Sequence, residues 1–88
     1  MYKIKCVAID DEPLALNLVE SFIEKTPYLS LIRGCESAYE AIDILKTHNI
    51  ELLFLDINMP DIAGIDFFKT LSTPPCVIFT TAYLSYAV

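Results

Sequence analysis

At 88 residues the chain has room for one domain at most. Its net charge of −6, with only six scattered Lys and Arg side chains, argues against a nucleic-acid or anionic-membrane surface, because phosphate contacts are made by basic groups. An apolar content of 55% and a mean hydropathy of +0.49 are high for so small a domain, and hint at more apolar surface than this length can cover. Three cysteines, Cys6, Cys35 and Cys76, lie in apolar segments without CxxC spacing. An odd count in that setting reads as reduced core residues in a reducing compartment. The N-terminus has no signal-peptide core, and no apolar run approaches the roughly 18 residues of a membrane span, so the expected location is the cytoplasm.

In chain order, Ile4 to Ile9 is a mostly apolar run ending at Asp10-Asp11, which predicts a central strand with carboxylates at its exit. Pro13 suits the first turn of a following helix, where its missing N–H costs nothing. Leu14, Leu18 and Phe22, with Val19 and Ile23, form a stripe at helical spacing, while Glu12, Asn17, Glu20, Glu24 and Lys25 face elsewhere. Thr26-Pro27 stops that helix. Leu29 to Cys35 predicts a weaker strand, interrupted by Arg33-Gly34 as expected nearer a sheet edge. Ser37 and Glu40 make a capping box. Ala38, Ala41, Ile42 and Leu45 then give a helical stripe that ends at His48-Asn49, where His48 is a helix-end residue.

The next strand, Glu51 to Asp56, holds four apolar residues in a row, Leu52 to Leu55, which deliver the carboxylate of Asp56 just before a break at Met59-Pro60. Pro60, Asp61 and Gly64 belong to a loop, and Ile65, Phe68 and Leu71 mark a third helix ended by Pro74-Pro75. Cys76 to Thr81 predicts a fourth strand, and Ala82 to Val88 the start of a fourth helix. The aromatic residues Phe22, Phe54, Phe68 and Phe79 are core by spacing. Strands alternating with helices over short connections mean an α/β domain with a parallel sheet covered on both faces.

Such a sheet presents its ligand-binding groups at the carboxyl ends of its strands. Those ends carry Asp10-Asp11, Asp56 and Thr80-Thr81. Taken singly each has an ordinary explanation: acids favour a helix N-terminus, Asp forms turns, and Thr favours strands. Together, with the first and third strands as neighbours, the carboxylates would crowd into one crevice and repel unless a counter-charge joins them. A hard divalent cation, Mg²⁺ above all, resolves this. A carboxylate beside Mg²⁺ can also attack phosphorus and form an aspartyl-phosphate, with a hydroxyl such as that of Thr81 bonding a phosphoryl oxygen.

The acidic pair Asp10-Asp11, the stretch "LDINMPDIAG" around Asp56 and "FTTA" at Phe79 to Ala82 resemble the receiver domain of two-component response regulators. "DDEPLAL" and "FTTAYLSYAV" look most like receivers followed by a LytTR-type DNA-binding domain. The resemblance covers all 88 residues in order, and its motifs are specific as a set rather than singly. It implies a flavodoxin-like (CheY-like) doubly wound sheet of strand order 2-1-3-4. It implies that Asp56 accepts a phosphoryl group from a sensor histidine kinase. Asp10, Asp11 and Asp56 would hold Mg²⁺ together with the backbone carbonyl of Asn58. Thr81 rather than Thr80 would be the switch hydroxyl, since Ala82, the small residue beside the phosphoryl group, follows it. The domain would be a signalling module rather than an enzyme, catalysing its own phosphorylation and dephosphorylation when complete, and controlling a transcriptional output domain. Tyr83 and Tyr86 would lie on the output face.

The chain departs from the family pattern in lacking a fifth strand with its lysine and reporter aromatic, and a fifth helix. Lys3, Lys5 and Lys69 lie in the wrong places to substitute. The fourth strand would then leave a flat apolar edge, which natural proteins avoid. The expectation is a receiver truncated before its fifth strand, with an edge at which a second copy could pair or swap. A dehalogenase-type phosphohydrolase also places a nucleophilic Asp after an apolar strand. It needs a second carboxylate two residues on, where this chain has Asn58, and its nucleophile strand usually comes first.

Overall fold

Four mostly apolar runs and two amphipathic segments take the structures their side-chain spacing dictates. A computed structural model describes residues 2–57 and 74–80. Within them, β1 is Ile4–Ile9, α1 Pro13–Glu24, β2 Leu29–Cys35, α2 Ala38–Thr47, β3 Leu52–Asp56 and β4 Cys76–Thr80. The expected loop at Pro60 to Gly64, the third helix around Phe68 and the helix start at Ala82 to Val88 lie outside the described residues. Among the described residues no helix is long and apolar enough to cross a membrane.

The four strands are ordered β2-β1-β3-β4, and every pairing is parallel. From β1 the chain steps one way to β2, then returns past β1 to β3. Right-handed crossovers in opposite directions put α1 and α2 on opposite faces of the sheet. Strand alternation divides the core accordingly. Cys6, Ala8 and Phe54 pack with Leu16 and Ile23 of α1. Val7, Ile9, Leu53 and Leu55 pack with Ala38, Ala41 and Ile44 of α2. The interruption expected at Arg33-Gly34 falls instead at Ile32: Cys6 pairs with Leu31 and Val7 with Arg33, leaving Ile32 as an extra residue on the edge strand, while Arg33 and Gly34 pair regularly with Val7 and Ala8.

The helix ends behave as their residues require. Pro13 opens α1. Ser37 caps α2, its hydroxyl oxygen accepting from the Glu40 N–H at 3.2 Å while the Glu40 carboxylate accepts from the Glu36 N–H. At the entry end of the sheet, Glu51 joins three strands. Its carboxylate accepts from the Tyr2 hydroxyl and from the Lys5 N–H, its own N–H donates to the Lys5 carbonyl, and its carbonyl accepts from the Cys76 N–H.

Several expected core positions are corrected. Leu14, Leu18 and Phe22 are 77%, 66% and 66% exposed, while Leu16 and Ile23 are buried. The segment is apolar round more than half its circumference, so helical spacing reveals apolar stripes but not which of them meets the sheet. Glu20, expected to face away, is half-buried above Gly34 of β2. A Cβ at Gly34 would come within 2.7 Å of the Glu20 Cδ, so the bare glycine backbone makes room for this side chain. In α2, Ile44 joins Ala38 and Ala41 in the buried set, with Ile42 and Leu45 packed at its margin. Cys76 and Phe79, expected in the core, are exposed on β4. That strand closes one side of the sheet.

These burial differences make a direct test. Ile23→Ala leaves a cavity under α1 and should lower unfolding stability by about 2–5 kcal/mol, whereas Phe22→Ala should stay within about 0.5 kcal/mol. Urea titrations of the two variants measure this, and equal losses would contradict the assigned helix face.

Candidate functional site

Strand register assembles the site. Ile9 pairs with Leu55 across β1 and β3, so Asp10 and Asp56 leave neighbouring strands side by side. Asp56 in turn pairs with Thr80 on β4. Alternation places all three on the α1 side of the sheet, since Ala8 and Phe54, two residues earlier, pack against α1. The gap between β1 and β3 is where the chain's direction of winding reverses. In open α/β sheets that reversal opens a crevice at the carboxyl edge.

Local geometry holds the acids there. The Asp10 N–H donates to the Cys35 carbonyl at 3.0 Å, anchoring the end of β1 to β2. Asp10 Oδ1 accepts from the Glu12 N–H at 2.9 Å, and the Glu12 carbonyl accepts from the Leu16 N–H at 2.9 Å in the first turn of α1. The turn bearing Asp10 and Asp11 is thus continuous with the helix that Pro13 begins. Beyond Asp56, the Ile57 N–H donates to the Thr80 carbonyl at 3.1 Å, extending the β3–β4 ladder one step past the acid.

Asp10 and Asp56 are buried and Asp11 is exposed. One carboxylate oxygen from each lies within 4.8 Å of the others. Burial pushes the Asp10 carboxyl above its ordinary value of 3.8; the Glu12 N–H pulls the other way, while the charges of Asp56 and Asp11 and a hydrogen bond to Asp56 add to the rise. The donor set fits a hard divalent ion, because three converging carboxylates supply oxygen ligands and a charge that only a cation offsets.

The structure therefore brings together Asp10, Asp11 and Asp56, as expected from the sequence. Asn58, Thr81 and Ala82 lie outside the described residues. Thr80, ranked behind Thr81 on sequence grounds, is described, and shares the row of Asp56. Only the pairing register reveals this. The period-2 pattern of β4 alone does not say which of its residues stands opposite Asp56.

Comparison with known proteins agrees with this geometry. Residues 6–87 match the family model described as the response regulator receiver domain. The chain is 35% identical to the sensory transduction protein LytR of Staphylococcus haemolyticus, over 97% of this chain and 34% of that protein. It is 33% identical to the transcriptional regulatory protein BtsR of Escherichia coli K12, over 97% of this chain and 36% of that one. It thus spans about a third of the length of these relatives. Among solved structures, the signal receiver domain of the response regulator NarL from Mycobacterium tuberculosis superposes with a TM-score of 0.81 at 21% identity, covering 93% of this chain and 68% of that one. CheY6 of R. sphaeroides, solved in complex with the P1 domain of CheA3, gives a TM-score of 0.79 at 22% identity over 100% of this chain and 70% of the matched chain. At those identities the likeness shows the fold. The matches give no support to the dehalogenase-type alternative. With its strand order of 2-1-3-4 and a family match over residues 6–87, the chain belongs to the receiver domain family of two-component response regulators.

Proposed function

We propose that Asp56 is the phosphoacceptor of this receiver and takes its phosphoryl group from a sensor histidine kinase. The observation that carries the reading is the convergence of Asp10, Asp11 and Asp56 at the winding reversal between β1 and β3. A carboxylate oxygen of Asp56 attacks phosphorus, forming the new P–O bond. The P–N bond of the phosphohistidine breaks, and its electron pair leaves on the imidazole nitrogen. Burial on β3 fixes the position of the nucleophile.

Asp10, Asp11, Asp56 and the backbone carbonyl of Asn58 are the proposed Mg²⁺ ligands. The bound ion would offset charge on the carboxylates and the transferring phosphoryl group. Thr81 is the proposed switch hydroxyl, and Ala82 the residue that leaves room for the phosphoryl oxygens. Phosphorylation controls a transcriptional output domain outside these residues, in the cytoplasm, while this segment itself contacts neither nucleic acid nor membrane. The β4 edge, with Cys76 and Ile78 exposed, is the place where a second copy would pair.

Beryllofluoride, a phosphoryl mimic, should bind when Mg²⁺ is present and fail to bind in EDTA. Fluorine NMR reads the bound signal directly. Binding that ignores Mg²⁺, or no binding under either condition, would count against the reading.

A further inference from the structure

We propose that Thr80 is a positioning residue for Asp56, its hydroxyl donating a hydrogen bond to the Asp56 carboxylate in the state that accepts the phosphoryl group. The inference rests on the phosphoacceptor reading above and goes beyond it, since it assigns a role to a residue other than the switch hydroxyl.

Three independent features of the structure converge on this assignment. The first is register: Thr80 is the β4 partner of Asp56, on a strand that lies about 4.8 Å away in any parallel sheet. Its carbonyl also accepts from the Ile57 N–H at 3.1 Å, so the backbone bearing the hydroxyl is tied to the backbone bearing the acid.

The second is the face of the sheet. Val77 packs with Leu53 and Leu55 on the α2 side. Three residues on, alternation turns Thr80 to the α1 side, where Phe54 lies and where Asp56 follows it. Thr80 and Asp56 are therefore neighbours across two strands on one face, in the same row as Asp10.

The third is chemical. Thr80 Oγ1 has less than 1 Å² of exposed surface and, among the described residues, no hydrogen-bond partner. Buried hydroxyls are nearly always paired, so an orphaned one calls for a partner that another state of the site supplies. The neighbour in its row is a carboxylate, the acceptor for which a hydroxyl forms its shortest and strongest bonds. A carboxylate acting as a nucleophile also needs one oxygen held so that the other is aimed, and a donor on the adjacent strand does this. Threonine suits the task because its β-branch restricts χ1, so the hydroxyl keeps to few directions.

The test compares the wild-type chain with Thr80→Val, which keeps the shape and removes the hydroxyl, and with Thr80→Ser, which restores it. Melting in EDTA is measured first. Thr80→Val should melt at or slightly above the wild-type temperature, because the orphaned hydroxyl is gone. Beryllofluoride affinity in Mg²⁺ is then read by fluorine NMR. Thr80→Val should bind about 10–100-fold more weakly, in the range typical of lost supporting hydrogen bonds around a metal site, and Thr80→Ser should stay within about threefold of wild type. If Thr80→Val does not fold, Thr80→Ala takes its place in the same comparison with Thr80→Ser. Equal affinity of wild type and Thr80→Val overturns the positioning role alone, as does an equal loss in the Val and Ser variants. Failure of the wild type to bind overturns the phosphoacceptor reading and this inference with it.

Discussion

Asp56→Asn should abolish phosphoryl uptake from a small acyl-phosphate donor in Mg²⁺, to the background set by the donor alone. The carboxamide is nearly isosteric with the acid but is not a nucleophile of comparable strength, and it cannot form an acyl phosphate. The fold should survive the change. Asp56 stands within 4.8 Å of the Asp10 and Asp11 oxygens, so removing its charge relieves repulsion among like groups. The variant should therefore melt no lower than wild type in EDTA. Intact-protein mass spectrometry reads the phosphoryl adduct on wild type and its absence on the variant, and a melting curve separates lost chemistry from lost folding. Full uptake by the variant would move the phosphoacceptor to another residue.

Asp10→Asn should separate stability from ion binding. The folded protein holds the Asp10 proton more tightly than the unfolded chain does, because burial and the adjacent carboxylates disfavour the charged form. Between the ordinary carboxyl value of 3.8 and its raised folded value, the native state thus binds more protons. Stability from this group is complete below that window, falls as pH rises through it, and stays lost above it. In EDTA the wild type should weaken on going from acid toward neutral pH, and Asp10→Asn should lack this component and melt a few degrees higher at neutral pH. Mg²⁺ reverses the balance, since it favours the ionised carboxylate, and its affinity should rise with pH through the same window. Removing one of the converging ligands should weaken Mg²⁺ binding by at least about 100-fold, more than the loss of a supporting residue. Calorimetric Mg²⁺ titrations and EDTA melts across pH measure both effects. A variant that binds Mg²⁺ as wild type does would remove Asp10 from the ligand set.

Much of the site was legible before any coordinates. The runs Ile4 to Ile9 and Leu52 to Leu55 are short and mostly apolar, the pattern of buried strands, and each leads into an acid. Alternation with helices makes the sheet parallel, and a parallel sheet collects its strand exits along one edge. From that chain of reasoning Asp10, Asp11 and Asp56 converge by topology alone. Ser37 and Glu40 likewise announce α2, because a cap is a local interaction between residues three apart.

The tertiary structure decided what local spacing leaves degenerate. Helix α1 carries apolar residues round most of its circumference, and only docking on the sheet selected Leu16 and Ile23 over Leu14, Leu18 and Phe22. That choice left the carboxylate of Glu20 above Gly34, where the missing Cβ makes space. The two adjacent acids look equivalent as a pair. Yet Asp10 continues the direction of β1 and is buried, whereas Asp11 lies beyond the strand and is exposed. Thr80 gains its place beside Asp56 from the β3–β4 register, which depends on how the whole sheet closes. The sequence by itself determined which chemistry gathers at the carboxyl edge, because strand polarity is written in residue order. Which face, which partner and which depth each group takes came from packing, because those depend on contacts between residues far apart in the chain.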